Sequence, residues 1–191
     1  DGRTGPPADT GTATVDTTGT AGTPTVASFD ESHRYADNGD YTVTVMVVDD
    51  DGGKTSSSFT VTVINIAPTL TVVADQSVTE GQRLDISNIG SFSDPGFDNS
   101  LTGTVETFNF SIAWGDGVSV DSGEATIDTA GSADKWTTGS FDGSHTYSDD
   151  GTYTVTVTVV DDDGNNDVET FWVSVVNGNP SLTLDLPSGD V

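Results

Sequence analysis

The run Tyr153-Thr154-Val155-Thr156-Val157-Thr158-Val159 alternates between apolar and hydroxyl side chains, and Asp161-Asp162-Asp163-Gly164 follows close behind it. A period of two places Tyr153, Val155, Val157 and Val159 on one face and the threonines on the other, the pattern of a strand buried on one side. Beyond the turn residues Asp161 to Asn166 the alternation resumes, with Phe171, Val173 and Val175 set against Trp172, Ser174 and Val176. The two runs predict a hairpin, closed by Asp-Gly and Asn-Asn turn chemistry. Outward from it, further strands are expected near Leu70–Val73, Arg83–Ser87, Phe108–Trp114, Ser122–Ile127 and Trp136–Ser140, and no segment holds a helical period. Short strands separated by Gly, Asp and Ser clusters predict an all-β, immunoglobulin-like β-sandwich.

The same letters occur twice. Ser140-Phe141-Asp142, Ser144-His145, Tyr147, Gly151, Tyr153 to Val157 and Val159 to Gly164 repeat Ser28-Phe29-Asp30, Ser32-His33, Tyr35, Gly39, Tyr41 to Val45 and Val47 to Gly52 at an offset of 112 residues. The register extends to Ala13–Thr17 and Ala125–Thr129, and to Asn65 and Pro68 against Asn177 and Pro180. That period is too long for a solenoid coil and suits an autonomous domain. The expected organisation is the later part of a unit over 1–66, a complete unit over 67–178 and the start of another over 179–191. Asp1-Gly2 aligns with Asp116-Gly117, with two extra residues in the loop that follows. The expectation is therefore a window on a longer array, or terminal pieces completed by other chains.

Charge narrows the function. There are 31 Asp and Glu against 5 Lys and Arg, a net charge of −26. Such a chain repels nucleic acid and anionic membrane surfaces, so neither DNA or RNA binding nor membrane insertion is expected. The acids comprise 26 Asp and 5 Glu. Aspartate favours turns and oxygen-rich cation sites, whereas glutamate suits helix surfaces. Cysteine is absent, which removes disulfides, thiolate zinc sites and cysteine nucleophiles. The sequence has neither a long apolar run nor a basic start leading into an apolar signal core.

Trp114-Gly115-Asp116-Gly117, then His145 and Tyr147, Gly151, Tyr153, Val155, Val157 and Val159 and the acidic turn resemble the polycystic kidney disease (PKD) repeat. The resemblance covers most of the full unit, and the first unit repeats its second half. Asp116 to Ser140 is longer than a minimal PKD unit needs, and the first unit lacks its own Trp-Gly strand. The resemblance implies a β-sandwich module, commonly in tandem in bacterial surface proteins or beside catalytic domains of secreted enzymes, with no catalysis of its own. It also implies metal near the incoming linker, as in PKD-like modules of secreted collagenases.

In a sandwich of this topology the incoming linker, the loop after the second strand and the last hairpin turn share the leading end. Those are Asn65 to Pro68, the loop with Asp94, Asp98 and Asn99, and Asp161-Asp162-Asp163-Gly164. The trailing end of the preceding unit, Asp37-Asn38-Gly39-Asp40, is expected at the same junction. Calcium takes six to eight hard oxygen ligands and needs no contiguous loop to supply them. Three consecutive acids in one turn also repel one another, and the first unit carries the same turn as Asp49, Asp50 and Asp51. Ca2+ is therefore expected, with Asp94 and Asp161–Asp163 the leading ligands, Asp98 and Asn65 next, and Asp49–Asp51 in the first unit. Plain turn chemistry with solvated acids is the competing explanation. Glu80, near a strand turn, is a weaker candidate.

Catalysis is not expected. Ser144 and His145 are adjacent on a strand and so point to opposite faces, and His33 and His145 share one repeat position, which suits a structural histidine bonding its turn. Trp114 suits the inter-sheet core, whereas Trp136 and Trp172 are the candidates for exposure and sugar stacking. Lys54 and Lys135 are not repeat equivalents, which argues against an isopeptide cross-link. Thr10–Thr25 reads as a flexible hairpin or a glycosylated stretch. The expected role is a calcium-stabilised structural module of a long extracellular or cell-surface protein. An accessory binding module of a secreted hydrolase and a subunit of a self-assembling filament are the alternatives. Partners expected are neighbouring repeats of the same or an identical chain and a carbohydrate or protein surface ligand.

Overall fold

A computed structural model describes residues 9–184, built from strands and connections. Its strands are β1 (Thr14–Thr17), β2 (Val26–Ser28), β3 (Gly39–Val48), β4 (Lys54–Val63), β5 (Thr69–Val72), β6 (Gln76–Thr79), β7 (Arg83–Asp94), β8 (Phe108–Ala113), β9 (Val120–Glu124), β10 (Thr126–Thr129), β11 (Thr137–Thr146), β12 (Gly151–Asp161) and β13 (Asn166–Val176). They fall into two compact units. The first comprises the residues up to Asn65 with Pro95–Glu106 and Ala130–Trp136; the second comprises Ile66–Asp94, Thr107–Thr129 and the residues from Thr137 on. Among the described residues no helix is long and apolar enough to cross a membrane. The further unit expected over 179–191 lies outside the described residues from 185 on.

The second unit is an immunoglobulin-like β-sandwich. One sheet has the order β10-β11-β7-β5 and the other β6-β13-β12-β8-β9, antiparallel throughout except for β6 beside β13. The alternation of β12 directs Val155, Val157 and Val159 into the core, and β13 adds Phe171, Val173 and Val175 from the same face. Leu70, Ile86, Ile89, Phe92 and Phe141 meet them from the opposite sheet, and β8 contributes Phe108 and Ile112, with Trp114 just beyond its end. Aromatic pairs bind the layer further: Phe110 stacks on Phe141 at 4.3 Å and Phe92 lies 4.5 Å from Phe108. Burying each such side chain stabilises the fold by about 1.5–3 kcal/mol.

Three local features depart from simple alternation. Strand β7 runs to Asp94, well past the expected Ser87, because a bulge interrupts its period. Phe141 pairs with Gly90 but Gly143 pairs with Ile86, and Asn88 takes a φ of 50° and donates its N–H to Asp142 Oδ1 at 2.8 Å. The slip lets Ile86 and Ile89, three residues apart, both enter the core. The single strand expected over Ser122–Ile127 is split at buried Ala125, whose N–H bonds the Phe108 carbonyl, so β9 and β10 belong to different sheets. Strand β6, bounded by Asp75 and Thr79-Glu80-Gly81, is too short and polar to stand out by periodicity.

The first unit reproduces the repeat in its hydrogen bonding. Thr14↔Ser28, Val15↔Ala27 and Thr17↔Val26 match Thr126↔Ser140, Ile127↔Gly139 and Thr129↔Thr138, including the bulge. Tyr41↔Val61 and Val43↔Phe59 likewise match Tyr153↔Val173 and Val155↔Phe171. Among its described residues, β1–β2 and β3–β4 are separate two-stranded sheets.

Candidate functional site

The polar centre of the second unit is the turn that follows β8. Gly115 adopts a φ of +86°, a conformation that glycine accepts without strain, and a Cβ there would run into the backbone of Thr154. The turn aims Asp116 at β11, where His145 Nε2 lies 2.7 Å from Asp116 Oδ2 with both side chains largely buried. His145 stacks on Trp114 at 5.0 Å and meets the edge of Tyr147 at 4.6 Å. Tyr147 then donates its hydroxyl to the Trp114 carbonyl at 3.0 Å, and the indole N–H of Trp114 donates to Asp121. Burial pushes the Asp116 carboxyl up, but bonds from the Val118 N–H and from His145 outweigh it and leave its pKa below the ordinary value. Burial, reinforced by the charge of Asp116, pushes the Tyr147 phenol up. The histidine is structural, but it bonds the turn after β8, 29 residues away in sequence, and not a turn of its own, while Ser144 receives a bond from Arg83.

The candidate metal ligands fall in both units. Asp94 ends β7 and Asp161 ends β12; they are 3% and 5% exposed. They share one end of the second unit, because Phe92 touches Phe108, and Phe108 pairs in register with Asp161. Asp161 accepts the Asn165 N–H at 2.7 Å, closing a turn in which Asp162 and Asp163 are exposed and Gly164 has a φ of +90°. Asp167 Oδ2 accepts the N–H of Leu70 at 2.8 Å, which ties the entering strand to the same end. Asp98 and Asn65 lie in the first unit, where exposed Asp98 accepts the Glu106 N–H. There Asp49, Asp50 and Asp51 close the β3–β4 hairpin, and Asp49 Oδ1 accepts the N–H groups of Asp51 and Gly53 at 3.1 and 2.6 Å. That turn is separated from Asn65 by the length of the hairpin, about 30 Å.

The opposite end of the second unit gathers acids that the sequence marked only in part. Glu80, Asp149 and Asp150 bring carboxylate oxygens within 4.8 Å of one another. Glu80 reaches them because β6 lies beside β13, and it accepts the Gly178 N–H at 2.9 Å. Asp149 and Asp150 are the repeat equivalents of Asp37 and Asn38, so an offset of 112 from the expected trailing end points to them. Trp172 is exposed on the outer face of β13, and Trp136 is exposed in the first unit.

No family model matches the chain, and no curated protein matches it. Among solved structures it is similar to the PKD domain of M14-like peptidase from Thermoplasmatales archaeon SCGC AB-540-F20, at 21% identity and a TM-score of 0.34, covering 58% of this chain and 93% of that chain.

Proposed function

We propose that this chain is a non-catalytic structural repeat module of a long extracellular or cell-surface protein, such as an adhesin stalk or fibre, and that calcium stabilises it. The carrying observation is the burial of Asp94 and Asp161 at one end of the second unit. Ionised carboxylates enter protein interiors only where bonds, opposite charges or a cation offset their desolvation. A divalent ion held by Asp94 and Asp161, with Asp162 and Asp163 beside them, takes hard carboxylate oxygens as ligands and relieves the crowding of three adjacent acids. Duplication of the module, down to its bulge and its turns, favours a spacer over a single-site catalyst.

The test is thermal unfolding in calcium against sodium chloride of matched ionic strength. For a dissociation constant near 10⁻³ M, a tenfold excess of calcium stabilises the second unit by about 1.4 kcal/mol. Asp94→Asn and Asp161→Asn should each abolish the calcium-specific increment. Equal melting temperatures in the two salts would sink the calcium reading and leave the structural one standing. A second reading, an accessory module that contacts polysaccharide, is favoured by exposed Trp172. It requires indole fluorescence to change on adding polysaccharide, and that change to vanish in Trp172→Ala.

A further inference from the structure

The two sheets of the second unit turn unlike faces to solvent. On the β10-β11-β7-β5 sheet the residues that alternate with buried Ile86 and Phe141 include Arg83, Asp85 and Asp142, so that face is charged. The β6-β13-β12-β8-β9 sheet differs. Along β12 the outward positions are the threonines that alternate with buried Val155 and Val157, and along β13 they are Val168, Thr170, Trp172, Ser174 and Val176. Ser111 of β8 pairs with Ser122 of β9, and Ser77 of β6 pairs with Ser174, which carries the hydroxyls across the sheet. Among the described residues the one charged side chain facing out from these strands is Glu124, at a corner. Asp75, beside β13, commits its carboxylate to the Trp172 N–H at 2.8 Å. In a chain with 31 acids, an outer face without charge is a distinct surface.

We propose that this face pairs with the same face of a second copy of the chain, in a two-fold, sheet-on-sheet dimer. Charge selects the face, because copies of net charge −26 that meet through their acidic loops bring carboxylates together, whereas here they bring none. Hydroxyls select the occupant. A Ser or Thr hydroxyl both donates and accepts, so a face built from them is complementary to itself across a two-fold axis. The driving surface is the row Val168, Trp172 and Val176, which are 46%, 59% and 55% exposed and recur at every fourth residue of β13. Strands of 4 to 11 residues give this sheet about 600 Å² of face, at ~3.4 Å per residue and ~4.8 Å between strands. Two such faces bury about 1,200 Å² together, the lower end of specific interfaces, so the pair is weak.

The test is sedimentation velocity of the 191-residue chain between about 0.01 and 1 mM, where a weak pair dissociates. A dimer should form with rising concentration and tighten by about threefold or more when sodium chloride goes from about 0.05 to 0.5 M, because salt screens the acids. Thr154→Asp, beside Trp172, should weaken it by about tenfold or more by setting like charges face to face. Ser91→Asp on the outer face of the other sheet should leave it unchanged, as should Phe59→Asp at a 56% exposed position of the first unit. A second measurement stands apart from the charge variants. The chain has no cysteine, so Thr170→Cys supplies a single thiol on the face, and a bismaleimide spanning about 10 Å, the spacing of packed sheets, should join two copies. Ser91→Cys should stay unlinked. Monomers throughout the range overturn the proposal, also where Trp172 fluorescence then responds to polysaccharide. So do equal effects of Thr154→Asp and Ser91→Asp, loss of the dimer in Phe59→Asp, or equal cross-linking through Cys at either position.

Discussion

Asp116 reports the protonation chemistry of the second unit. Its carboxylate is held by the Val118 N–H and by His145, so its folded pKa lies below its ordinary value of 3.8. A depressed carboxylate contributes stability that is complete above the ordinary value and is lost as pH falls through the folded one. Asp116→Asn should therefore lower the melting temperature at neutral pH and flatten its acid dependence below about pH 4. A variant with an unchanged acid profile would refute this. Tyr147→Phe tests the adjoining bond: removing the donor from the Trp114 carbonyl should cost about 1–3 kcal/mol in denaturant unfolding. Loss of under a few tenths would show that water replaces the hydroxyl. The repeat position of His145 and the Gly-Asp-Gly turn revealed a structural histidine, but Asp116 as its partner was not legible. That pairing depends on the turn after β8 facing β11 across 29 residues of sequence.

At the scale of the strand, identical letters have unequal worth. Phe171→Ala empties a packed position and should cost about 3–5 kcal/mol, whereas Phe59→Ala should change stability by about 0.5 kcal/mol or less. Urea unfolding of the two variants gives the comparison, and equal losses would mean that the first hairpin is covered in solution. The alternating hairpins could be read from sequence because a period of two survives wherever one face is buried. Strand β7 was legible only to Ser87, because the bulge at Asn88 turns its apolar spacing from two into three. The division at Ala125 stayed hidden as well, since a change of sheet leaves no mark on local polarity. The acidic turns were readable as turns, whereas the burial of Asp94 and Asp161 is a property of packing that neighbouring letters do not encode.

For the molecule as a whole, charge sets the background. A net charge of −26 opposes compaction, so raising sodium chloride from about 0.01 to about 0.5 M should raise the melting temperature before any calcium is added. A flat or falling melting temperature would show that the acids are already neutralised by structure. The repeat offset was plain in sequence and reappears bond for bond in the two sets of strands. One pairing has a mechanical meaning. Strand β6, the second strand after Pro68, runs parallel to β13, which leaves at Val176, through Gln76, Ser77, Val78 and Thr79. Tension entering at one and leaving at the other pulls them in opposite directions along their length, so their hydrogen bonds are loaded together in shear and cannot be unzipped singly. Past β5, the β6–β13 pairing thus resists traction along the chain as a set of bonds and not one bond at a time.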